Sequence, residues 1–292
     1  MIRKPAWLRV RLSDTIKYNS VNEIIKSHKL TTVCEEANCP NRVDCYSKRT
    51  ATFMILGNQC TRNCRFCNIT QGVLEEADLL EPYRVAMAVK DLGLKHAVIT
   101  SVTRDDLQDQ GASLFVSTIN AIKISSDTTI LEVLIPDMQY DTHAIDMVMD
   151  AKPAVINHNV ETVPRLYSEV RPEADYQRSL DVLRYIKKRD SNIVTKSGLM
   201  LGLGESIDEV KAVISDLKAA GIDCLTIGQY LQPSPDHYKM VAYITPEVFD
   251  ALGAYAKSIG IRGVASAPLV RSSYYAKDLY EQMLSSIGDN QG

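Results

Sequence analysis

The chain reads as an α/β protein built on a full or partial (β/α) barrel, and three observations carry that expectation. From residue 51 onward, short apolar runs alternate with amphipathic stretches of helical length, the pattern of parallel βαβ units. Six or seven such units are many for a small open sheet and natural for a barrel, the doubly wound sheet being the alternative. Polar residues also collect just after the apolar runs, at the strand ends where barrels keep their chemistry.

In chain order, strands are expected at 51–56 (ATFMIL), 96–101 (HAVITS), 129–135 (TILEVLI), 155–158 (VINH), 194–201 (VTKSGLML) and 224–229 (CLTIGQ), each short and mostly rich in β-branched residues. Helices are expected between them at 82–92, 112–124, 142–151, 176–189, 207–220 and 246–259. Ser206 ahead of IDE, and Thr245 ahead of Pro246, are start signals. Gly93, Gly221 and Gly260 stand just past three helix ends, where a left-handed cap is expected. The first 50 residues are polar and cysteine-bearing and precede this regular pattern.

At 292 residues, 45% apolar and 24% charged, the composition is that of a globular protein with a substantial core. No apolar run approaches the roughly 18 residues that span a bilayer. MIRKPAWLRVRL has basic residues without the apolar core of a secretory signal. The expectation is therefore a cytoplasmic protein without a membrane partner. A net charge of −3 argues against a general nucleic-acid binder. Arg3, Lys4, Arg9 and Arg11 form a local basic group, either a solvated arm or a docking surface.

Six of the seven cysteines fall between Cys34 and Cys67, in two triplets. Cys34, Cys39 and Cys45 read C-x4-C-x5-C; Cys60, Cys64 and Cys67 read C-x3-C-x2-C in the loop expected after the first strand. Clustered thiols in a reducing compartment favour metal or catalysis over disulfides. A closed site wants four ligands, so each triplet leaves one position to be explained. Three thiolates on a 4Fe–4S cubane leave one iron open to a small chelating molecule, with Phe66 as apolar shielding. Zinc is the alternative, but His28, His96, His143, His158 and His237 show no paired-histidine spacing. Cys224, in an apolar run, reads as a small buried hydrophobe.

CTRNCRFC at 60–67, after a strand that opens a barrel, resembles the signature of the radical S-adenosylmethionine (SAM) superfamily. TVCEEANCPNRVDC at 32–45 ahead of it resembles the auxiliary-cluster motif of the lipoyl synthases. Matching blocks continue in order: KPAWLRV at 4–10, ATFMILG at 51–57, SVTRDDL at 101–107 and EVLIPD at 132–137. They run on through NHNVETVPRLY at 157–167, KSGLMLGLGE at 196–205, GQYLQP at 228–233 and PLVRSSY at 268–274. Tyr46 in place of a common Trp, Gln110 in place of Gly, and PDHYKM at 235–240 in place of a more basic stretch are departures.

The resemblance implies a partial (β/α) barrel of the radical SAM type at 51–262. A segment at 1–50 would carry the auxiliary-cluster cysteines, and one at 263–292 the RSSY motif. It implies two 4Fe–4S clusters and SAM as cofactors. Cys60, Cys64 and Cys67 would hold the SAM-binding cluster; Cys34, Cys39, Cys45 and, from RSSY, Ser273 would hold the auxiliary one. An oxygen donor among soft thiolates is a labile attachment. The implied reaction inserts two sulfur atoms at carbons 6 and 8 of an octanoyl-lysine, with the auxiliary cluster as sulfur source. Partners implied are octanoylated lipoyl carrier domains (2-oxoacid dehydrogenase E2 or glycine cleavage H protein), an electron donor such as ferredoxin or flavodoxin, and an iron–sulfur carrier for cluster repair. By superfamily analogy Thr103, Asp105, Asn157, Gly202, Gly204 and Glu205 are SAM-contact candidates. For Gly202 and Gly204 a tight turn, and for Asp105 a cap, are competing readings. His158 and Asn159 are candidate lining, and His158 is as well explained as a hydrogen-bonded structural histidine. No residue beyond the cluster ligands is expected to be catalytic, since the cofactors carry the hard chemistry.

Overall fold

In the computed structural model, residues 3–9, 15–69 and 72–288 are described; Arg11 of the basic group lies outside them. Regular structure begins earlier than the apolar pattern indicates. Helix α1 (Thr15–Ser27) buries Val21 and Ile25, one turn apart on a single face. A two-residue strand β1 (Thr31–Thr32) leads into the short helices α2 (Val33–Glu36) and α3 (Arg42–Ser47). Thr32 caps α2 by accepting the Glu35 N–H at 3.3 Å, and its hydroxyl pairs with the Tyr46 hydroxyl at 2.9 Å. These elements escape sequence reading because α1 shows only two core residues and the others are too short for a period to emerge.

The alternation then follows as expected: β2 (Thr52–Ile55), α4 (Glu81–Leu92), β3 (His96–Ser101), α5 (Ala112–Ser125), β4 (Ile130–Leu134), α6 (Thr142–Asp150) and β5 (Val155–Asn157). It continues with α7 (Tyr167–Val170), α8 (Tyr176–Arg189), β6 (Val194–Leu201), α9 (Ile207–Ala219), β7 (Cys224–Gln229), α10 (Pro246–Ser258), β8 (Gly263–Ser266) and α11 (Ala276–Gly288). Expected and observed bounds differ by a residue or two at element ends. Gly93, Gly221 and Gly260 take φ of +63°, +86° and +92°, the left-handed values their positions called for. Ser206 and Glu209 form a reciprocal capping box at the start of α9. α7, β8 and α11 went unforeseen; α7 and β8 are only four residues long, and the pairing partner of β8 lies on another strand.

Strand order in the sheet is chain order, β1 to β8, with β1 and β8 at its ends. β1 pairs antiparallel with β2, whereas β2–β3, β3–β4, β6–β7 and β7–β8 are parallel. Parallel strands joined by helices in an unclosed succession make a partial (β/α) barrel.

By contacts the chain forms two compact units. One comprises Val10–Asn63 and Cys67–Ile156; the other is made of Met1–Arg9, Cys64–Phe66 and Asn157–Gly292. In the first, α4 packs on α5, burying Val85, Ala88, Val89 and Leu92 on one helix and Phe115, Ile119 and Ile122 on the other. In the second, Leu199, Leu201 and Ile227 of the strands form a core cluster with Val210, Val213 and Leu217 of α9 and Phe249, Leu252 and Ala256 of α10. The i, i+3, i+7 spacing on both helices puts three residues on one stripe. Burying each of the larger of these side chains, alanine excepted, contributes about 1.5–3 kcal/mol before conformational entropy is counted. Among the described residues no helix is long and apolar enough to cross a membrane.

Candidate metal centre

The N-terminal triplet is assembled by local chain geometry. Cys34 lies in α2 and Cys45 in α3; Cys39 lies in the turn between them, where Asn38 takes a φ of +46°. The Cys39 N–H donates to the Cys34 carbonyl at 3.2 Å, and the Arg42 N–H to the Cys39 carbonyl at 3.1 Å. Burial pushes the Cys34 thiol up to about 11, with the Cys39 charge adding to it. Burial likewise pushes Cys45 up to about 12, with Cys34 and Cys39 both adding to it. Cys34, Cys39 and Cys45 thus lie within electrostatic reach of one another, a grouping of soft donors that suits a metal cluster. A bound cation supplies the charge that deprotonates them. Among the described residues no three His, Cys, Asp or Glu side chains converge on a single metal-ion position. A cubane asks for something different, one thiolate on each of three irons.

The second triplet follows β2. The Cys60 sulfur accepts two backbone N–H groups, from Arg62 at 3.5 Å and Thr103 at 3.4 Å. Such dipoles aimed at a sulfur suit a thiolate cluster ligand. Arg65 N–H donates to the Val170 carbonyl at 2.9 Å, its carbonyl accepts from Tyr238 at 2.7 Å, and Phe66 packs against the core cluster of its own unit. None of the seven cysteines is in a disulfide. Cys224 is 1% exposed on β7, its sulfur against Gly263, as a small core residue would be.

Asp105 is engaged within its unit: Arg62 donates to both carboxylate oxygens, at 2.7 and 2.8 Å, and the Thr61 hydroxyl, whose one proton is shared with the Thr103 carbonyl at 3.0 Å, lies at 3.1 Å. Burial opposes ionisation, but the Arg62 guanidinium holds the Asp105 carboxyl below its usual range. Thr103 gives its N–H to Cys60 and its carbonyl to Thr61. Glu205 closes the turn after β6, accepting the Gly202 N–H at 2.6 Å and the Leu203 N–H at 2.9 Å; burial pushes its carboxyl up. Gly202 and Gly204 take φ of +101° and +110°, and a Cβ on Gly202 would meet the Gln229 amide and the Ala242 carbonyl.

On and just after the strands of the second unit, several polar atoms are buried without protein partners. Asn157 is 0% exposed and neither of its amide atoms is hydrogen-bonded; the Ser197 hydroxyl and the Asn159 Oδ1 share that condition. Buried polar atoms left over in this way call for a ligand or ordered water. His158 is 1% exposed. The Asn159 amide donates to the Ser272 hydroxyl at 3.2 Å, tying residue 159, in the loop after β5, to the RSSY segment. Ser273 is half-buried in the turn that follows, which the Tyr274 N–H closes on the Arg271 carbonyl at 3.0 Å. Glu161 takes a φ of +64°, and burial pushes its carboxyl up.

A parallel α/β partial barrel with a C-x3-C-x2-C loop after its first parallel strand defines a radical SAM enzyme. Residues 54–217 match the profile of the Radical SAM superfamily. The solved structure of methylornithine synthase resembles this chain at a TM-score of 0.57 and 13% identity, covering 95% of this chain and 81% of that one. A maturase of the FeFe-hydrogenase gives 0.59 and 15%, covering 95% and 61%. At such identities the likeness is one of fold alone. Within the superfamily the chain belongs to the lipoyl synthases. It is 53% identical to the lipoyl synthase of Alkaliphilus metalliredigens over 280 residues, 96% of this chain and 97% of the relative. That of Rubrobacter xylanophilus is 52% identical, covering 95% and 87%. The chain is thus a radical SAM sulfur-inserting enzyme whose cofactors are SAM and 4Fe–4S clusters.

Sequence reasoning counted Arg62 and Gln229 only among the polar residues at strand ends and gave Asp137 no role of its own. The signal for Arg62 was a charged residue inside the ligand loop, and for Asp137 a lone acid after a proline at a strand end. Neither could be told from a solvated residue before their pairing was seen.

Proposed function

We propose that this chain converts octanoyl-lysine on a lipoyl carrier domain into lipoyl-lysine by two sulfur insertions, at carbons 6 and 8. The observation that carries the reading is the pair of triplets, with Cys34, Cys39 and Cys45 gathered closely enough to feel one another's charge. When bound, the cofactors supply the chemistry: a reduced cluster cleaves SAM to a hydrogen-abstracting radical, and a second cluster provides sulfur.

The chain's own residues hold and shield. Cys60, Cys64 and Cys67 would hold one cluster; Cys34, Cys39, Cys45 and Ser273 the other. The two N–H groups on the Cys60 sulfur would keep it oriented. Asn157, Thr103, Gly202 and Gly204 are assigned to SAM contact, Asn157 because its buried amide has no protein partner. Asp105 and Glu205, whose carboxylates are taken by Arg62 and by backbone N–H groups, are assigned to shaping that contact. The reading places the work in three segments: 1–50 for the auxiliary cluster, 51–262 for the barrel and 263–292 for RSSY. It also implies a reductant such as ferredoxin or flavodoxin, a cluster-repair carrier, and a cytoplasmic setting.

Anaerobic reconstitution and turnover with an octanoyl-lysine peptide test it. The expected result is about eight iron atoms per chain, 5′-deoxyadenosine formation, and a product carrying two added sulfurs. About four irons, or no 5′-deoxyadenosine, would sink it. Cys39→Ala is expected to spare SAM cleavage and abolish sulfur transfer, and Ser273→Ala to lower lipoyl product; full sulfur transfer in either removes that residue from the auxiliary site.

A further inference from the structure

Arg62 stands between two cysteines of the second triplet, and its side chain is only 5% exposed. Its guanidinium donates to Asp105 through Nε at 2.7 Å and Nη2 at 2.8 Å, and Nη2 also donates to Asp137 Oδ1 at 2.6 Å. The two acids come from the ends of different strands, β3 and β4, and the Asp137 side chain is 0% exposed. One cation therefore ties the ligand loop to two strand ends at once.

The same residues control what reaches the Cys60 sulfur. One of its two N–H donors is the backbone of Arg62 itself. The other, Thr103, accepts through its carbonyl from both the Thr61 N–H and hydroxyl at 3.0 Å, and the Thr61 hydroxyl in turn accepts the Asp105 N–H at 3.2 Å. Both N–H···S contacts are thus fixed through a single ring of hydrogen bonds that the Arg62–Asp105 pair closes.

Asp137 is held in place by an unusual piece of backbone. Met138, Gln139 and Tyr140 take φ of +46°, +49° and +60° in succession, a left-handed turn that L-residues avoid. It persists because Asp137 over-determines it: Oδ1 accepts the Gln139 N–H at 3.1 Å, and the carbonyl accepts the Tyr140 N–H at 2.9 Å. Strain kept at such a point, rather than relaxed into an ordinary turn, marks a position whose placement matters.

We propose that Arg62, Asp105 and Asp137 form an ionic clamp whose role is to set the reduction potential of the cluster held by Cys60, Cys64 and Cys67. The inference rests on the ligand assignment proposed above. Cluster potential responds to nearby net charge and to hydrogen bonds on the sulfurs, and the clamp governs both. One guanidinium and two carboxylates sum to one negative charge in a poorly solvated position, which favours the oxidised cluster and makes the reduced one a stronger reductant. The two N–H donors act in the opposite sense, by stabilising added charge on the sulfur. Arg62, Asp105 and Asp137 are positioning residues; none is required to touch SAM.

The test is an EPR-monitored redox titration of the reconstituted full chain, following the signal that changes on adding SAM. Asp137→Asn removes the net charge and is expected to raise the midpoint by at least a tenfold change in the reduction equilibrium, about 59 mV for one electron. Thr61→Val alters no charge but removes the hydroxyl from the ring, leaving the Thr103 carbonyl on the backbone N–H of residue 61 alone, and is expected to lower the midpoint. Midpoints unchanged in both variants, at full iron content, would overturn the proposal. If Asp137→Asn does not fold, an unchanged midpoint in Thr61→Val overturns it alone. Absence of any SAM-responsive signal in the unaltered chain would instead refute the ligand assignment, so the two failures are distinguishable.

Discussion

Gly228 on β7 offers a direct test of how the RSSY segment is held. It is buried, and a Cβ built on it would run into the backbone carbonyl oxygen of Val270, lie 3.0 Å from the Val270 carbonyl carbon and 3.3 Å from Arg271 Nη1. The first two obstacles are main chain, so Gly228→Ala cannot be absorbed by a side-chain rotation; the 268–271 segment must move. That segment hangs on a few bonds: Gln229 N–H to Pro268 at 3.2 Å, Ala267 N–H to Ile227 at 3.1 Å and Val270 N–H to Ala267 at 3.0 Å. Overpacking costs about 1–3 kcal/mol, and one weakened hydrogen bond about 1 kcal/mol. Loss of glycine's unfolded-state freedom returns about 0.4–1 kcal/mol. The net expectation is a destabilisation of roughly 2 kcal/mol, read as a lowered urea midpoint at unchanged slope. Because the displaced residues lead directly into Ser273, lipoyl product should fall several-fold while SAM cleavage continues. Unaltered stability together with full sulfur transfer would refute the reasoning, since it would mean that the segment moves without consequence.

Other expectations follow from the same physical terms. Gln229 donates to the carbonyls of Leu201, Tyr230 and Ala242 and accepts the Ile244 N–H at 2.8 Å. Gln229→Leu should leave several of these groups unpaired at about 1–3 kcal/mol for a buried one, and should speed amide exchange at residue 244; unchanged exchange there would show that other contacts hold the loop. Glu209 is held down to about 2, first by Arg165 at 2.7 Å and then by the Ser206 N–H. Its folded-state value lies below the unfolded one, so its support of α9 is complete above about pH 4.5 and fades as pH falls toward 2. A carboxyl titration by NMR should place its midpoint well below the ordinary glutamate range, and Arg165→Ala should raise it; an ordinary midpoint in the unaltered chain would remove the pair from the account.

Much of the molecule was legible in residue order because the relevant forces act over short stretches. Strands β3, β6 and β7 appear at their expected bounds, since β-branched runs bounded by turns are local signals. The capping box at Ser206 and the left-handed glycines were readable for the same reason. The cysteine spacings pointed to cluster chemistry, because thiols grouped within a few residues of each other are a local signal. The short elements ahead of β2 were not legible, and neither was β8, whose register is set by β7 rather than by its own four residues.

Only tertiary structure decided what surrounds those cysteines. Nothing in CTRNCRFC tells that Arg62 is buried, or that it meets acids 43 and 75 residues further along the chain. Nothing in NHN tells that the Asn157 amide is left without a protein partner while Asn159, two residues on, reaches Ser272 across 113 residues. Ligand identity is a property of side chains and spacing, and so belongs to the sequence. The charge and hydrogen bonds around a ligand are sums over distant residues brought together by folding, and those sums do not exist until the strand ends are in register.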